Sequence, residues 1–377
     1  LEICPDCGEE LIKKELHVHY REDLEKLSVL IQNAKKVTER IIESGYCPTC
    51  KKRKSQVEIP VQKVEIGINA KIMMAYYHIL LGLSYGEIKM HFKNQYNMEI
   101  SEGSIANSLE EQANLLRPYY QGIYNDLLNE KACHYDETSW KVQGEGEGNY
   151  VWIKSGVESN KVIFWFGKCR GKGVAEKLRG DISQINVQNQ IGISDDYGAY
   201  RNIFNRHQLC WAHPHRKLRD LAESGVLKAE KKKHCQKIYA EFACLYKDVS
   251  KLKHEFDSGG NIKEQEKLQL RERFQKITIV QNNDPDKLKK IRESLGSRID
   301  RYFTFWQERG IPLDNNQAER GLRKIVLKRK KSFGSKTQKG ANVLSILYSV
   351  IFTLYSSGEP QDFFENYEKA LNIHDKA

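Results

Sequence analysis

The sequence predicts an α+β protein whose central mixed sheet of five strands is flanked by helices and interrupted by a helical insertion. Between residues 132 and 211, short runs rich in β-branched and aromatic residues alternate with helical segments in the order β-β-β-α-β-α-β. A highly charged stretch from about 213 to 305 then keeps a helical pattern almost throughout. Apolar helices close the chain, and hydrophobic residues make up 40% of the sequence, which is enough for a substantial core.

The five strands are predicted at 132–142, 150–156, 161–167, 190–194 and 207–211. Glycines and polar turn residues separate the first three strands, which therefore form an antiparallel meander. Two helices fall between the later strands, at 174–179 and 198–204. After the insertion, helices are predicted at 315–330, with Asn315 and Asn316 as its cap, and at 341–356 and 361–372.

Residues 63–128 are predicted to be helical. Apolar side chains recur at helical spacing, and Gly82 ends the first helix. Ser84 and Glu87 form a capping box for the second helix, Ser101 caps the third, and Pro118 ends it. Short helices joined by tight turns are typical of a helix-turn-helix DNA-binding unit, although small bundles with no such role share the pattern.

Two Cys-x-x-Cys pairs lie nearer the N-terminus, Cys4 with Cys7 and Cys47 with Cys50. This spacing lets both thiolates of a turn face one ion, and two turns complete a tetrahedral sulfur site for zinc. Four thiolates leave no open coordination position, so this zinc is expected to be structural. The alternative is a pair of unrelated redox or chance motifs. We predict a zinc ribbon over residues 1–55.

Charge and composition narrow the classes of partner. The 377 residues carry a formal charge of +11, which favours nucleic acid over a soluble protein that is basic by chance. Nine cysteines without a secretory signal argue against a disulfide framework. The longest apolar stretch is interrupted by Ser345 and Ser349, so no membrane span is expected. The chain begins at Leu1 and not at Met, which leaves a preceding segment open.

Three carboxylates fall where the predicted topology brings them together. Asp136 lies in the first strand, Asp195 at the end of the fourth, and Glu319 on the helix after the insertion. Clustered carboxylates repel one another unless divalent cations neutralise them, and oxygen ligands suit magnesium or manganese. Two such ions would activate a water or a 3′-hydroxyl for phosphoryl transfer. Because the chain has 50 acidic residues, placement alone does not single out this trio.

Four local motifs do single it out. They are DETSW at 136–140, SDDYGAY at 194–200, CWAHPHR at 210–216 and NNQAER at 315–320. In this order they resemble the successive core motifs of the insertion sequence 66 family of bacterial DDE transposases, and the N-terminal cysteine pairs are similar to its zinc-binding domain. The resemblance implies an RNase H-like catalytic domain, with Asp136, Asp195 and Glu319 as the metal-binding carboxylates.

The resemblance leaves the second carboxylate ambiguous. The family usually has a small residue after the second aspartate, whereas this chain has Asp196. Both Asp195 and Asp196 are therefore candidate metal ligands, and we favour Asp195.

Cys210 and His213 form a Cys-x-x-His element similar to one that follows the second carboxylate in several DDE transposases. Two ligands are too few for a metal site. We therefore expect a local role, with the thiol packed in the core and the imidazole near the active site or a phosphate, rather than direct catalysis.

A basic run begins one residue after Glu319. Residues 320–339 contain nine Lys and Arg and no acidic residue, and could simply form a solvated face. Their position favours contact with a DNA backbone. The predicted DNA-binding residues are Arg320, Arg323, Lys324, Lys328, Arg329, Lys330 and Lys331. Trp140 and Tyr197 are candidates for stacking on a base, and ordinary core aromatics are the alternative.

The sequence thus predicts five segments. They are a zinc ribbon at 1–55, a helical DNA-binding region at 63–128, the first part of an RNase H-like core at 129–224, a helical insertion at 225–310, and the last part of the core at 311–377. The predicted cofactors are two Mg²⁺ or Mn²⁺ ions and a structural Zn²⁺.

The predicted function is metal-dependent cleavage of DNA and strand transfer at the ends of a mobile element. The expected partners are double-stranded DNA, of element ends and target, and further copies of the chain. The expected location is the bacterial cytoplasm, in association with the nucleoid. The alternatives are a transposase-derived DNA-binding protein without turnover and an RNase H-like structure-specific nuclease.

Overall fold

The computed structural model describes Lys35, Val37 and residues 44–47, 52–55, 65–144, 148–359 and 362–372. The chain divides into two compact units. The smaller comprises Leu1–Lys63 and Lys89–Ser101, and the larger comprises Val64–Ile88 and Glu102–Ala377.

In the smaller unit, strands β1 (Ser44–Cys47) and β2 (Lys52–Ser55) pair antiparallel, with Cys47 opposite Lys52. Cys4, Cys7, Cys50 and the side chain of Cys47 lie outside the described residues. The zinc ribbon therefore stays a prediction.

The remaining elements follow in chain order. The helices before the sheet are α1 (Ile68–Ile79), α2 (Tyr85–Tyr96), α3 (Glu102–Leu115) and α4 (Arg117–Leu128). The sheet region contains β3 (Ala132–Ser139), β4 (Tyr150–Gly156), β5 (Val162–Gly167), α5 (Lys172–Arg179), α6 (Ile185–Asn189), β6 (Ile191–Ser194) and β7 (Arg206–Leu209). The helices after it are α7 (Ala212–Ala222), α8 (Ala229–Asp257), α9 (Glu264–Thr278), α10 (Asp286–Gly296), α11 (Ile299–Tyr302), α12 (Asn316–Ser332), α13 (Gln338–Ser357) and α14 (Phe363–Leu371).

The mixed five-stranded sheet is confirmed. Its strand order is β5-β4-β3-β6-β7, so the first strand of the region lies at the centre. The pairs β3–β4 and β4–β5 are antiparallel, as the predicted meander requires. The pairs β3–β6 and β6–β7 are parallel, which sets the carboxyl ends of β3, β6 and β7 at the same edge.

Several boundaries differ from the prediction for physical reasons. Strand β3 ends at Ser139 and not at 142, because Val142 leaves the meander to form an isolated parallel bridge with Ser335. The helix predicted at 198–204 is a single 3₁₀ turn over Gly198–Tyr200, and the short helix α6 was not predicted. By contrast, the third helix ends at Leu115, before Pro118, as predicted, and Pro118 lies in the first turn of α4, where its missing N–H costs no helical hydrogen bond.

The helices before the sheet have local chemistry that matches the prediction. The Ser84 N–H donates to the Glu87 carboxylate at 2.6 Å, and the Glu87 N–H donates to Ser84 Oγ at 3.2 Å, which completes the capping box of α2. Gln112 of α3 donates to the carbonyl of Lys71 in α1 and accepts from the Tyr367 hydroxyl of α14. Helices α1 and α3 therefore pack with the C-terminal helices, while their predicted contact with DNA stays a prediction.

Helix α13 covers the edge strand β5 with a line of hydroxyl side chains. The Phe164 N–H donates to Ser349 Oγ at 2.8 Å, and the Val162 N–H donates to Thr353 Oγ1 at 3.1 Å. The Ser345 hydroxyl donates to the Phe164 carbonyl at 2.5 Å. These bonds satisfy backbone groups that an edge strand leaves unpaired. Ser345 and Ser349, which interrupt the apolar run of α13, therefore bind the backbone of the edge strand.

Among the described residues, α13 is the one helix long and apolar enough to span a membrane by length and composition. About 61% of its most apolar window is buried inside the protein, as is usual for a core helix.

The helical insertion shares a hydrophobic core with the sheet. Trp211, which lies between β7 and α7, is fully buried and contacts Phe242 of α8 and Phe274 of α9. Asp284 is buried between His234 at 2.6 Å and Arg292 at 3.1 Å. The insertion is therefore part of the same folding unit as the sheet, in agreement with its place in the larger compact unit.

We expect Ser349→Ala to lower the free energy of unfolding by about 1–3 kcal/mol, because it leaves the buried Phe164 N–H without its acceptor. Ser357→Ala is the matched control, because the exposed Ser357 hydroxyl bonds only to its own helix. Urea denaturation of both variants checks this. Equal effects would mean that the hydroxyl line does not stabilise the sheet edge.

Candidate active site

Asp136 lies in the central strand β3, opposite Ile153 of β4. Its Oδ1 accepts the Glu137 backbone N–H at 2.9 Å. Burial raises the pKa of Asp136 to about 8, and the charges of Glu137, Asp195 and Glu319 act in the same direction. The three predicted carboxylates therefore share one electrostatic environment, in which negative charge is crowded.

Asp195 follows β6 directly. The parallel pairing of β3 and β6 sets His134 beside Ile193, and continuing that register by two residues sets Asp136 beside Asp195. Asp195 Oδ1 accepts the Tyr197 N–H at 2.9 Å, so the turn after the strand fixes the carboxylate. Two neighbouring strands thus deliver two carboxylates to the same edge of the sheet.

Glu319 lies in the first turn of α12, which packs across β3 and β4. A Cβ on Gly321 would lie 2.5 Å from Ile153 Cδ1, so the glycine lets the helix approach the sheet beside Asp136. Arg216 of α7 donates to both Glu319 oxygens, at 2.6 and 3.1 Å. The guanidinium supplies a counter-charge to the third carboxylate and orients both of its oxygens.

Asn315 fixes the start of α12 on the sheet. Its Nδ2 donates to the Tyr135 carbonyl at 2.8 Å, so its Oδ1 is the atom that accepts from His134 Nδ1 at 3.0 Å. Burial lowers the pKa of His134 to about 4, which keeps the ring neutral with its proton on Nδ1. Asn315 was predicted as a helix cap, but its side chain makes no capping bond, because the sheet engages it instead.

The thiol of Cys210 is buried in the core. The Asn315 backbone N–H donates to its Sγ at 3.2 Å. Burial raises the pKa of the thiol to about 12, so it stays protonated. The His213 Nε2 lies 3.7 Å from Glu319, and candidate donor atoms of Cys210, His213 and Glu319 lie within 4.8 Å of one another. Three donors of this kind give only weak support for a metal site.

Asp196 points away from the crowded carboxylates and towards the insertion. Its Oδ2 accepts from the Ser294 hydroxyl of α10 and from Arg298, both at 2.6 Å. Arg201 lies 3.5 Å from Oδ1. With these partners Asp196 anchors the insertion, whereas the charge of Asp195 acts on Asp136, beside which the strand register sets it. This arrangement favours Asp195 as the second metal ligand.

Two aromatic residues proposed as stacking sites already have partners within the protein. Trp140 is 4% exposed and donates its indole N–H to Ser335 Oγ at 3.0 Å. The Arg170 guanidinium lies 3.8 Å from the centre of the Tyr197 ring. Arg170, which the sequence did not single out, also bonds to the Glu137 carboxylate. Trp140 therefore belongs to the core, and Tyr197 contacts the arginine that binds Glu137.

The basic face of α12 is partly solvent-exposed. The exposed cations among the predicted DNA-binding residues are Arg320, Arg323, Lys324, Lys330 and Lys331. Lys328 is 6% exposed, and its ammonium lies 3.2 Å from His78 and 3.1 Å from the Leu83 carbonyl. Arg329 is half-buried and donates to Thr138 and Ser139. Lys328 and Arg329 therefore join α12 to α1 and β3.

The sequence model of the family described as Transposase IS66 family matches residues 63–343. This range contains all three carboxylates, the insertion and the basic helix. The comparison with curated proteins gives no match.

We expect Asp196→Ala to lower the free energy of unfolding by about 1–3 kcal/mol, because Arg298 and Ser294 lose a charged partner. Asp300→Ala is the control, since Asp300 is exposed and its ion pair with Arg271 is a surface pair worth at most about 1 kcal/mol. Chemical denaturation compares them. If the control is as destabilised as Asp196→Ala, Asp196 does not anchor the insertion.

Proposed function

The chain belongs to the IS66 family of transposases, and on this premise we propose that it cleaves DNA at the ends of a mobile element and joins them to a target through Asp136, Asp195 and Glu319. The observation that carries the proposal is that separate elements bring these residues together: the β3–β6 register, continued by two residues, sets Asp136 beside Asp195, and α12, which carries Glu319, packs across β3 and β4. Burial raises the pKa of Asp136, and the charges of Glu137, Asp195 and Glu319 add to this effect. Carboxylates so arranged at the shared edge of parallel strands favour divalent cations.

The residues fit the metal chemistry of such an enzyme. Two Mg²⁺ or Mn²⁺ ions, when bound, activate the attacking oxygen and stabilise the leaving oxygen in phosphoryl transfer. Asp136 and Asp195 would hold them from adjacent strands, and Glu319 would do so from α12. Arg216 balances the charge of Glu319 and keeps its oxygens oriented.

The exposed cations of α12 are proposed to hold the DNA. These cations begin one residue after Glu319. A DNA backbone bound along the helix would therefore have a phosphate close to the carboxylates. Lys328 is left out of this set because it is buried. The partner is double-stranded DNA, and its phosphates would be neutralised by Arg320, Arg323, Lys324, Lys330 and Lys331.

Further parts of the proposal rest on the sequence. Cys4, Cys7, Cys47 and Cys50 would hold a structural zinc ion. The helices at 63–128 would contact element DNA, and several copies of the chain would act together on paired ends in the cytoplasm, at the nucleoid. The five proposed segments keep the boundaries given by the sequence.

We expect Asp136→Asn, Asp195→Asn and Glu319→Gln each to reduce DNA cleavage by more than about a hundredfold, because each removes an anionic metal ligand. The substrate is duplex DNA carrying the element's own ends, with Mg²⁺ or Mn²⁺. DNA binding, measured by fluorescence anisotropy, is expected to persist. Addition of Mn²⁺ should raise the melting temperature of the unmodified chain more than that of the variants.

Asp220→Asn is the matched control, because Asp220 is an exposed acid on α7 that pairs with Arg219. It should cleave DNA normally. Full cleavage by all three carboxylate variants would contradict the mechanism. Cleavage without joining of the 3′ end would indicate a structure-specific nuclease, and binding without any cleavage would indicate a transposase-derived DNA-binding protein.

We expect Lys324→Ala to reduce the slope of log affinity against log salt by about 0.9, the effect of one lost phosphate contact. Lys251→Ala is the control, since Lys251 is an exposed lysine on helix α8 of the insertion. Binding titrations over a series of salt concentrations give both slopes. Equal slopes for Lys324→Ala and the unmodified chain would mean that α12 is not part of the DNA interface.

A further inference from the structure

Phe333 is a large apolar side chain held in solvent at the end of α12. It is 79% exposed, whereas aromatic rings usually contribute to the core. Its N–H still donates to the Arg329 carbonyl at 2.8 Å, so the residue is the last one tied to the helix. A ring in this position contributes little to the packing of the fold.

The backbone of Phe333 is also in an unfavourable conformation. Its φ and ψ are 59° and 7°, the left-handed region that residues with a Cβ seldom adopt. Glycine or asparagine is the usual residue at such a helix end. Phenylalanine at this position therefore destabilises the fold in two ways, through solvent exposure of the ring and through backbone strain. These costs indicate that the ring has a role other than packing.

The turn that presents Phe333 is firmly anchored. The Ser335 N–H donates to the Lys141 carbonyl at 2.8 Å, and the Gln143 N–H donates to the Ser335 carbonyl at 2.9 Å. Trp140 bonds to the Ser335 hydroxyl. A Cβ on Gly334 would lie 2.0 Å from the Lys141 carbonyl oxygen, so only glycine permits this contact. The anchored turn therefore holds the ring of Phe333 in solvent at a fixed position.

The charge around the ring favours nucleic acid over protein. Lys330, Lys331 and Lys336 lie within three residues of Phe333, and Lys141 lies on the segment that anchors the turn; all four are exposed. Glu87, which pairs with Lys331, offsets part of this charge. An aromatic ring among lysines suits a single-stranded or distorted nucleic acid, whose phosphates meet the cations and whose base meets the ring.

We propose that Phe333 is a stacking site for an unpaired base of the bound DNA. The proposal rests on the proposed function, because it requires DNA along α12. Phe333 is 14 residues after Glu319, and at 1.5 Å per residue this is about 21 Å along the helix. At about 3.4 Å per nucleotide, the stacked base would lie about six nucleotides from the cleaved phosphate, outside the reach of the carboxylates.

The test compares a forked duplex, with short unpaired arms that carry 2-aminopurine, with a fully paired duplex of the same length. Phe333→Ala should weaken binding of the forked DNA about tenfold or more, the effect of one lost stacking contact, and leave binding of the paired duplex unchanged. Phe333→Trp should retain the affinity. The 2-aminopurine fluorescence should be quenched by the unmodified chain and not by Phe333→Ala.

Phe333→Gly separates stacking from a structural role. Glycine relieves the left-handed backbone, so this variant should match or exceed the thermal stability of the unmodified chain while binding forked DNA as poorly as Phe333→Ala. Leu327→Ala, at another exposed apolar residue of α12, is the control and should bind forked DNA normally.

Unchanged binding of forked DNA by Phe333→Ala would overturn the proposal. So would a change in self-association, measured by sedimentation, without a change in DNA binding, because the ring would then contact protein. If the unmodified chain cleaves element ends and the Phe333 variants bind forked DNA equally well, only this inference fails. If the unmodified chain binds neither DNA, the proposed function fails with it.

Discussion

The hydrogen bonds of Asn315 determine how the rest of the site is arranged. One buried side chain joins the start of α12 to His134 and to the Tyr135 carbonyl, across 181 residues of sequence, while its N–H bonds to Cys210 at the end of β7. Because the next turn carries Glu319, this contact sets the third carboxylate against the strand that carries Asp136. The buried amide can make these bonds only in one position, so the register of helix on sheet is fixed.

The helical insertion also contributes to the arrangement of the candidate site, through contacts with residues that follow β6 and β7. It is held at the turn after β6 by the contact of Asp196 with Arg298, and beneath β7 by the packing of Trp211. The two neighbouring aspartates therefore have different surroundings, although both are acidic and adjacent in sequence. One is engaged by cations of the insertion, and the other is left beside Asp136, where negative charge accumulates.

The sequence was sufficient for features that depend on local chemistry. Turn residues delimit the meander, and the capping box of Ser84 and Glu87 has its expected bonds. Features that depend on distant partners could not be predicted. Nothing local in the sequence distinguishes the buried Lys328 from the exposed Lys324, because the difference comes from His78, 250 residues away. The position of Glu319 needed the motif as well, since no spacing rule joins a strand to a helix across an insertion.

The order of charged residues along helix α12 contributes both to folding and to the proposed DNA binding. Glu319 lies in its first turn, and Arg329, Lys330 and Lys331 lie in its last. Acid at the start and base at the end complement the helix dipole, each worth about 0.3–1 kcal/mol. In the proposed function, the same order places an acidic metal ligand beside cations that would bind the DNA backbone. Lys330 and Lys331, which are among the cations proposed to hold the DNA, thus also stabilise the helix, whereas Phe333, beyond its last turn, destabilises the fold.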